Sequence, residues 1–145
     1  MTSIRKITPE ATYSVRNPVL RPNQPVESCY FDGDHLPTTA HYGFYENENL
    51  IGIASVFKNK HPEWQFEEQV QLRGMAVLEA HQKKGIGAHL VKHVIQIEKE
   101  NHTKVIWFNA RKNAVGFYQN LNFQIIGHEF DIKGVGPHFV MYQIL

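Results

Sequence analysis

The stretch HQKKGIGAHL, residues 81–90, joins an apolar segment to a regular helical pattern and decides how the chain is interpreted. Apolar residues then recur at the spacing of one helix face: Ile86, Leu90, Val94 and Ile97. Such a turn presents backbone N–H groups at the positive end of a helix, and glycine lets a phosphate approach without a Cβ in the way. Gly85 and Gly87 match neither the dinucleotide fingerprint nor the P-loop spacing. The stretch therefore predicts either an anion site or a tight turn beside surface lysines.

The composition describes a chain that is close to electrically neutral. It has 145 residues, a formal net charge of +1 and a single cysteine, Cys29. Nucleic-acid binders and membrane-surface binders need a basic field, so neither class of partner is predicted. The N-terminus lacks an apolar signal core, and the longest apolar run is too short to span a bilayer. We therefore expect a single domain over residues 1–145, located in the cytoplasm.

Local patterns predict an alternating order of strands and helices. Residues 41–57 form a predicted hairpin, and residues 67–78 form a strand whose polar and apolar alternation is interrupted at Gly74, which indicates a bulge. The later predicted elements follow in chain order: a buried strand at 104–110, a short helix at 113–121 and a closing pair of strands within 123–145. This order, with a first strand near the N-terminus, predicts an α+β fold.

Prolines shape the segment between the first predicted helix and the hairpin. Thr8-Pro9-Glu10 predicts a helix start, and Pro18 predicts that this helix ends near Asn17. Residues 18–39 contain four prolines, and a long segment of this kind is usually a lid or a binding loop. Asn101 is the predicted left-handed stop of the helix that follows the glycine turn.

Two blocks of sequence, residues 75–94 and 109–123, resemble the GNAT superfamily of acyl-CoA-dependent N-acyltransferases. The first block contains the loop [QR]xxGx[GA] as residues 82–87. The second block is similar to the family's pattern of Asn, a small residue, Phe-Tyr and a closing Phe, here Asn113, Ala114, Phe117, Tyr118 and Phe123. The resemblance implies a GNAT fold, with a mixed twisted sheet of about six to seven strands, about four helices and central strands that splay near Gly74.

The resemblance also implies that acetyl-CoA is the cofactor. Its pyrophosphate would lie on the backbone N–H groups at the start of the helix, and its pantetheine arm would extend along the strand after the bulge. The cofactor-binding residues that it implies are Met75, Ala76, Val77, Gln82, Lys83, Lys84, Gly85, Ile86, Gly87, Ala88, Asn109, Asn113 and Phe117.

Amine attack on a thioester needs a neutral nucleophile, a donor for the developing oxyanion and a proton for the departing thiolate. The resemblance assigns Tyr118 as the general acid near the sulfur, and the alternative is a core aromatic residue. A backbone N–H near Ala76 or Val77 would hold the carbonyl oxygen. The general base stays open between a water chain and an acid or histidine of the closing strands, since no carboxylate occupies the polar face of the central strand.

Polar residues on a central strand need partners, so Arg73 is expected to face the acceptor cavity or to pair with Asp32 or Asp34. The candidates for the acceptor site are Gln71, Arg73, His41, Glu129, Asp131 and His138, the last two expected to lie near each other across the final turn. Further cations that could line this cavity are Arg16, Arg21 and Arg111, and their number hints at an acceptor that bears a carboxylate.

The chain has nine histidines, which raises the question of a metal site. His89 and His93 have the i, i+4 spacing of a helical metal pair, but no third ligand lies near them in the sequence. A solvated helix face is the favoured interpretation, and no metal is predicted.

The predicted function is transfer of an acetyl group from acetyl-CoA to a primary amine of an unidentified small molecule or peptide. The predicted route is direct attack in a ternary complex. One alternative is a CoA-binding sensor or regulatory module without turnover, and another is a nucleotide-binding domain that uses the same turn for a different diphosphate. The oligomeric state stays open between a monomer and a homodimer.

Overall fold

The computed structural model describes all 145 residues and contains one seven-stranded sheet. The strands are β1 Thr2–Ile7, β2 Ala40–Glu46, β3 Asn49–Phe57, β4 Gln69–Val77, β5 Val105–Arg111, β6 Gln124–Ile132 and β7 Gly136–Ile144. Their spatial order is β1-β2-β3-β4-β5-β7-β6, with β4 and β5 parallel and the other neighbours antiparallel. The predicted α+β class with a mixed sheet is confirmed.

Three α-helices connect these strands: α1 Tyr13–Leu20, α2 Ile86–Glu100 and α3 Val115–Gln119. Short 3-10 turns lie at Glu10–Thr12, Val26–Cys29, Glu79–His81 and Lys112–Ala114. The expected set of about four helices therefore corresponds to three α-helices and several 3-10 turns.

The two longer α-helices pack on opposite faces of the sheet. Ile53 and Ala54 are neighbours on β3, so their side chains point to opposite faces. Ile53 packs with Val15 of α1, whereas Ala54 belongs to the larger cluster that contains Leu90 of α2. Each helix buries one face against the sheet. The packing of α2 therefore positions its N-terminus, and with it the glycine turn, relative to the sheet.

Two predicted helix ends are wrong. α1 continues to Leu20 with Pro18 inside it, because a proline near the end of a helix removes one donor while burial of Val15 still holds the helix. Asn101 is not left-handed, with φ −82°, and its N–H still donates to Ile97. The left-handed residue is His102, with φ 61°, one position later.

The predicted bulge in β4 is confirmed at Gly74. Ile53 pairs with Ala76 and Ser55 pairs with Arg73, so two residues of β4 lie opposite one residue of β3. Gly74 has φ 62°, a left-handed conformation that favours glycine.

The predicted splay of the central strands is also observed, but it starts earlier than Gly74. The pairing of β4 with β5 stops at Gln71 and Trp107. Beyond that point β5 continues along β7 as far as Arg111 opposite His138, while β4 continues along β3. The two strands diverge because each follows its antiparallel neighbour, and the divergence opens a gap between them.

Candidate active site

The glycine turn leaves a run of backbone donors free at the start of α2. The first backbone bond of the helix runs from the His89 N–H to the Gly85 carbonyl, 3.0 Å. No N–H group from Lys83 to Ala88 donates to a protein acceptor. Gly85 and Lys83 have φ of 82° and 64°, and these left-handed angles turn the chain into the helix. The result is a concentration of unpaired donors at the positive end of a helix of 15 residues.

Two further contacts connect this turn to the gap between β4 and β5. Gln82 Nε2 donates to the Val77 carbonyl, 2.9 Å, which ties the turn to the end of β4. A Cβ added at Gly87 would lie 3.4 Å from Phe117 Cζ and 3.5 Å from Met75 Cε. The absence of a side chain at Gly87 therefore keeps the passage open between the turn and the gap.

The gap continues into a cavity of about 460 Å³. Its walls come from the central part of β4, the end of β5, α3, the β6–β7 turn and the proline-rich segment. The lining residues that the sequence predicted for the cofactor, the catalytic acid or the acceptor are Gln71, Arg73, Met75, Asn109, Phe117, Tyr118 and His138, together with the further cations Arg21 and Arg111. Asn113 lies outside this lining, exposed on a 3-10 turn.

Tyr118 lies on α3 within an aromatic cluster. Its ring centroid is 4.4 Å from that of Phe108 and 5.0 Å from that of Phe117. Its hydroxyl has no protein hydrogen-bond partner, and the residue lines the cavity. Burial raises the pKa of Tyr118 to about 12. The phenol is therefore protonated at neutral pH and can act as a hydrogen donor.

Gln71 and His138 both contribute buried polar groups to the cavity wall. Gln71 Oε1 accepts from Asn59 Nδ2, 2.8 Å, so its orientation is set by the segment after β3. His138 Nδ1 lies 2.7 Å from the Gly136 carbonyl. Because a carbonyl only accepts, Nδ1 carries the proton, and Nε2 keeps its lone pair in the neutral ring.

Three candidates for the acceptor site lie elsewhere. His41 is buried in a network with Ser55 and Asp34 and does not line the cavity. Glu129 is exposed and pairs with Lys112 Nζ, 2.8 Å. Asp131 pairs with Pro137 in register, so its side chain lies on the face opposite to His138, and these two residues do not meet.

Of the two placements expected for Arg73, the structure has the first: Arg73 lines the cavity and does not pair with Asp32 or Asp34. Asp34 pairs with Arg16 instead. Arg16 Nη1 and Nη2 donate to the two carboxylate oxygens at 2.7 and 3.0 Å. Arg16 is 0% exposed, so it does not line the cavity either. Its position after Val15 and four residues before Leu20 is the signal that could have placed it on the buried face of α1.

Phe31 of the proline-rich segment is a cavity residue that sequence reasoning missed. Its ring lies under three guanidinium groups, at 3.9 Å from Arg16 Cζ, 4.9 Å from Arg73 Cζ and 5.8 Å from Arg21 Cζ. An aromatic residue inside a polar turn, FDGDH, was the available signal. The segment therefore contributes a wall of the cavity, as expected for a lid or a binding loop.

The histidine pair on α2 packs against aromatic rings of β2. His89 lies 6.3 Å from Phe44 and His93 lies 5.4 Å from Tyr42, measured between ring centroids. The structure contains no group of three or more metal-ligating side chains. None of its helices combines the length and the apolar character needed to cross a membrane.

Comparisons with known proteins agree with this architecture. The model of the acetyltransferase (GNAT) family matches residues 3–123. The uncharacterized N-acetyltransferase YitI of Bacillus subtilis (strain 168) is 36% identical over 145 residues, covering 100% of this chain and 97% of that protein.

Solved structures share the fold at low sequence identity. The ribosomal-protein-S18-alanine N-acetyltransferase of Escherichia coli has a TM-score of 0.78 and 16% identity, over 99% of this chain and 94% of that chain. An acetyltransferase of Bacillus subtilis in complex with CoA has a TM-score of 0.68 and 18% identity, over 99% and 97% of the two chains. Because the family match covers residues 3–123 and the Bacillus relative aligns over the whole chain, the protein belongs to the acetyltransferase (GNAT) family and is an acyl-CoA-dependent acetyltransferase.

Proposed function

We propose that this protein transfers an acetyl group from acetyl-CoA to a primary amine of a small molecule or peptide, by direct attack within a ternary complex. One continuous path carries the proposal. It begins at the unpaired N–H groups of residues 83–88, follows the free edge of β4 and ends at the Tyr118 hydroxyl. A diphosphate, an extended arm and a thioester would occupy these three parts in that order.

The glycine turn would hold the pyrophosphate. Unpaired N–H groups at a helix N-terminus bind phosphate oxygens directly, and the exposed Lys83 and Lys84 add positive charge beside them. Gln82 contributes through its bond to Val77, which fixes the turn relative to the strand. In this proposal Ile86 anchors the turn by its burial, and Gly85 and Gly87 give the required backbone angle and clearance.

The free edge of β4 would bind the pantetheine arm and the thioester. The Leu78 N–H donates to the Ile51 carbonyl, 2.9 Å, so alternation along the strand directs the Ala76 N–H toward β3. The N–H groups of Met75 and Val77 then face the gap. The sequence suggested Ala76 or Val77 as the donor to the thioester oxygen. Because Met75 lines the cavity and Ala76 and Val77 do not, we instead assign the Met75 N–H to that oxygen and the Val77 N–H to the arm.

Tyr118 would supply the proton for the departing thiolate. The amine nitrogen attacks the thioester carbon, the C–S bond breaks, and the sulfur takes the phenolic proton. The raised pKa keeps the phenol in the protonated form before the reaction. No covalent enzyme intermediate is needed, because the nucleophile is the acceptor itself.

His138 is the proposed general base. Among the residues that line the cavity it is the one histidine, and no aspartate or glutamate is present there. Its Nε2 has a free lone pair in the neutral tautomer, because Nδ1 donates to the Gly136 carbonyl. It would take the amine proton directly or through one water molecule.

The variant Tyr118→Phe tests whether Tyr118 is the general acid. We expect kcat to fall about 100-fold, since general acid catalysis contributes about 10²–10⁴, while CoA affinity changes less than twofold. Thiol release from acetyl-CoA measures kcat, and calorimetry measures affinity. Tyr142→Phe is the matched control, because its hydroxyl bonds to Gln124 away from the cavity. Equal losses of turnover and affinity would instead indicate a packing role.

The variant Gly87→Val tests whether the glycine turn binds CoA. A branched side chain would fill the space toward Phe117 and Met75, so we expect the Kd for CoA to rise at least about tenfold. Gly87→Ala is the graded control, because its single carbon meets both neighbours at ordinary contact distance. Unchanged affinity in the valine variant would contradict the assignment of the turn.

One observation favours the second candidate, a CoA-binding sensor without turnover, namely that no carboxylate lines the cavity. Tight CoA binding with no thiol release on any amine would select the sensor. Detectable turnover that falls about 100-fold in Tyr118→Phe would select the enzyme. The cytoplasmic location and the choice between a monomer and a homodimer stay predictions.

A further inference from the structure

The cavity wall has an uneven distribution of charge. Its charged side chains are three arginines, Arg21, Arg73 and Arg111, and it contains no aspartate or glutamate. The chain as a whole is nearly neutral, with a formal net charge of +1. Positive charge is therefore concentrated at the place where the acceptor would bind.

Arg73 and Arg21 lie against one aromatic ring without a carboxylate partner. Both guanidinium groups lie over the Phe31 ring, at 4.9 and 5.8 Å from its centroid. Neither residue takes part in any ion pair of the structure. The one side-chain hydrogen bond of Arg21 goes to the Leu20 carbonyl, 3.0 Å, and the Arg73 side chain makes none.

A half-buried guanidinium without a counter-ion lowers the stability of the fold unless a ligand supplies the missing negative charge. Burial lowers the pKa of Arg73, and the nearby positive charge of Arg16 lowers it further, although Arg73 stays protonated. A guanidinium has five donors in a planar fork that matches carboxylate or phosphate oxygens. A bound anion would offset the cost of burial and the repulsion between the arginines.

The position of Arg73 separates this charge from the cofactor phosphates. Arg73 lies before the bulge, whereas the strand then runs through Met75 to Val77 and on to the glycine turn. Four residues of extended strand span about 13 Å, so the arginine lies at the opposite end of the path from the phosphates. The anion that it would bind therefore belongs to the acceptor.

We propose that the acceptor carries an anionic group, a carboxylate or a phosphate. Arg73 and Arg21 bind this group beside the Phe31 ring, and the amine of the acceptor faces the thioester. This inference rests on the proposed function. It names the class of acceptor as an amino carboxylate or an aminoalkyl phosphate, and it disfavours diamines and other cationic amines. The two anions share one chemistry, so the assay has to distinguish them.

The experiment compares amines that differ only in charge. Thiol release is measured with glycine and glycinamide, β-alanine and its amide, O-phosphoethanolamine and ethanolamine, and with 1,4-diaminobutane. We expect kcat/KM to be about 10- to 100-fold higher for the anionic member of the preferred pair. The pair with the larger ratio identifies carboxylate or phosphate. Neutral or cationic amines that react as well as the anionic ones would overturn the proposal.

Variants then assign the preference to Arg73. Arg73→Gln should remove the difference in kcat/KM between the paired amines, mainly through KM. Arg73→Lys should keep part of that difference, because lysine has the positive charge but lacks the planar set of guanidinium donors. Arg5→Gln is the matched control, since Arg5 pairs with Glu48 outside the cavity. A preference that persists in Arg73→Gln, with the fold confirmed by thermal unfolding, would refute the assignment.

Binding measurements keep this inference separate from the proposed function. The CoA-loaded protein is titrated calorimetrically with β-alanine and with O-phosphoethanolamine, and the same titrations are repeated without CoA. Heat that disappears in Arg73→Gln supports the anion site even if no turnover is found. No heat from either probe, with CoA binding intact, would overturn the anion site and leave the cofactor assignment standing. Absence of CoA binding would instead contradict the proposed function.

Discussion

Arg16 and Arg73 approach the same Phe31 ring from two regions of the molecule, and their surroundings differ. Arg16 is fully buried and bonds to both oxygens of Asp34, to the Cys29 carbonyl and to Ser55. Arg73 is half-buried, lines the cavity and has no carboxylate partner. The charge of Arg16 is neutralised within the protein by Asp34, whereas Arg73 is the cation that we propose binds the acceptor. The comparison shows that two residues of one type can differ in whether the protein itself supplies the counter-ion.

The Arg16 region also explains how the proline-rich segment is held in place. The Asp34 carboxylate accepts from the Phe31 N–H, 3.0 Å, so the same acid that neutralises Arg16 positions the ring of the cavity wall. Burial raises the pKa of Asp34, but the bonds from Arg16 and Phe31 outweigh it and hold that pKa below its usual range. The network therefore carries one ion pair whose loss would affect both stability and the cavity.

The largest expected effect comes from breaking the satisfied pair. Asp34→Asn leaves Arg16 charged and buried, and we expect the free energy of unfolding to fall by about 3–5 kcal/mol. Urea denaturation at pH 7.5 measures it. Asp32→Asn, an exposed position in the same segment, is the control and should change stability by less than about 0.5 kcal/mol. A loss below about 1 kcal/mol in Asp34→Asn would mean that the buried pair is not essential.

A second effect is expected where the two regions meet, at Gly74. A Cβ there would lie 3.0 Å from Phe31 Cε2 and 3.5 Å from Arg16 Nε, and the φ of 62° disfavours any other residue. Gly74→Ala should therefore cost about 1–2 kcal/mol of unfolding free energy and displace the Phe31 ring. Gly134→Ala is the control, because it has a left-handed φ of 80° with open space around it. Equal losses in the two variants would show that the contact with Phe31 adds nothing.

A smaller effect should appear as a pH dependence of the satisfied region. Burial lowers the pKa of His41, whose Nε2 donates to the Asp34 carbonyl, 3.0 Å, while Nδ1 accepts from Ser55, 2.7 Å. Above about pH 6.5, the pKa of histidine in an unfolded chain, His41 is neutral in both the folded and the unfolded protein, and its hydrogen bonds are intact in the folded state. As the pH falls below that value the unfolded chain binds the proton first, so stability decreases until the folded ring is also protonated.

Urea unfolding between pH 7.5 and 5 measures this slope in the native protein and in His41→Gln. One group contributes at most about 1.4 kcal/mol per pH unit, and we expect the variant to lose that component of the slope. The exposed His128, replaced by glutamine, serves as the control and should leave the slope unchanged. An identical slope in His41→Gln would contradict the assignment.

The smallest stability effect is expected at the other arginine. Arg73→Gln removes a charge that has no partner in the protein, so the free energy of unfolding should change by less than about 0.5 kcal/mol or increase slightly. The difference between the unfolding free energies of Asp34→Asn and Arg73→Gln would then measure how differently the fold depends on the two arginine sites. Destabilisation of more than about 2 kcal/mol would show that stacking on Phe31 and Phe57 makes Arg73 a structural residue.

Sequence reasoning was reliable where a feature depends on neighbouring residues. The hairpin of β2 and β3, the bulge at Gly74 and the turn before α2 were all predicted, because periodicity and glycine angles act over a few positions. Pro18 inside α1 was predicted wrongly, because burial of the helix face outweighed the local penalty. Arg16 and His41 were candidates for the cavity but lie in a buried network with Asp34, because their contacts join residues far apart in the chain.

The sequence by itself determined the order of the elements and the position of the glycine turn on which the cofactor assignment rests. Only the tertiary structure decided which arginine is neutralised and which faces the cavity. Asp34 reaches Arg16 across 18 positions of the chain, and Ser55 reaches it across 39. The choice between partners at that separation depends on how the proline-rich segment packs over α1 and β4, and no local pattern encodes that geometry.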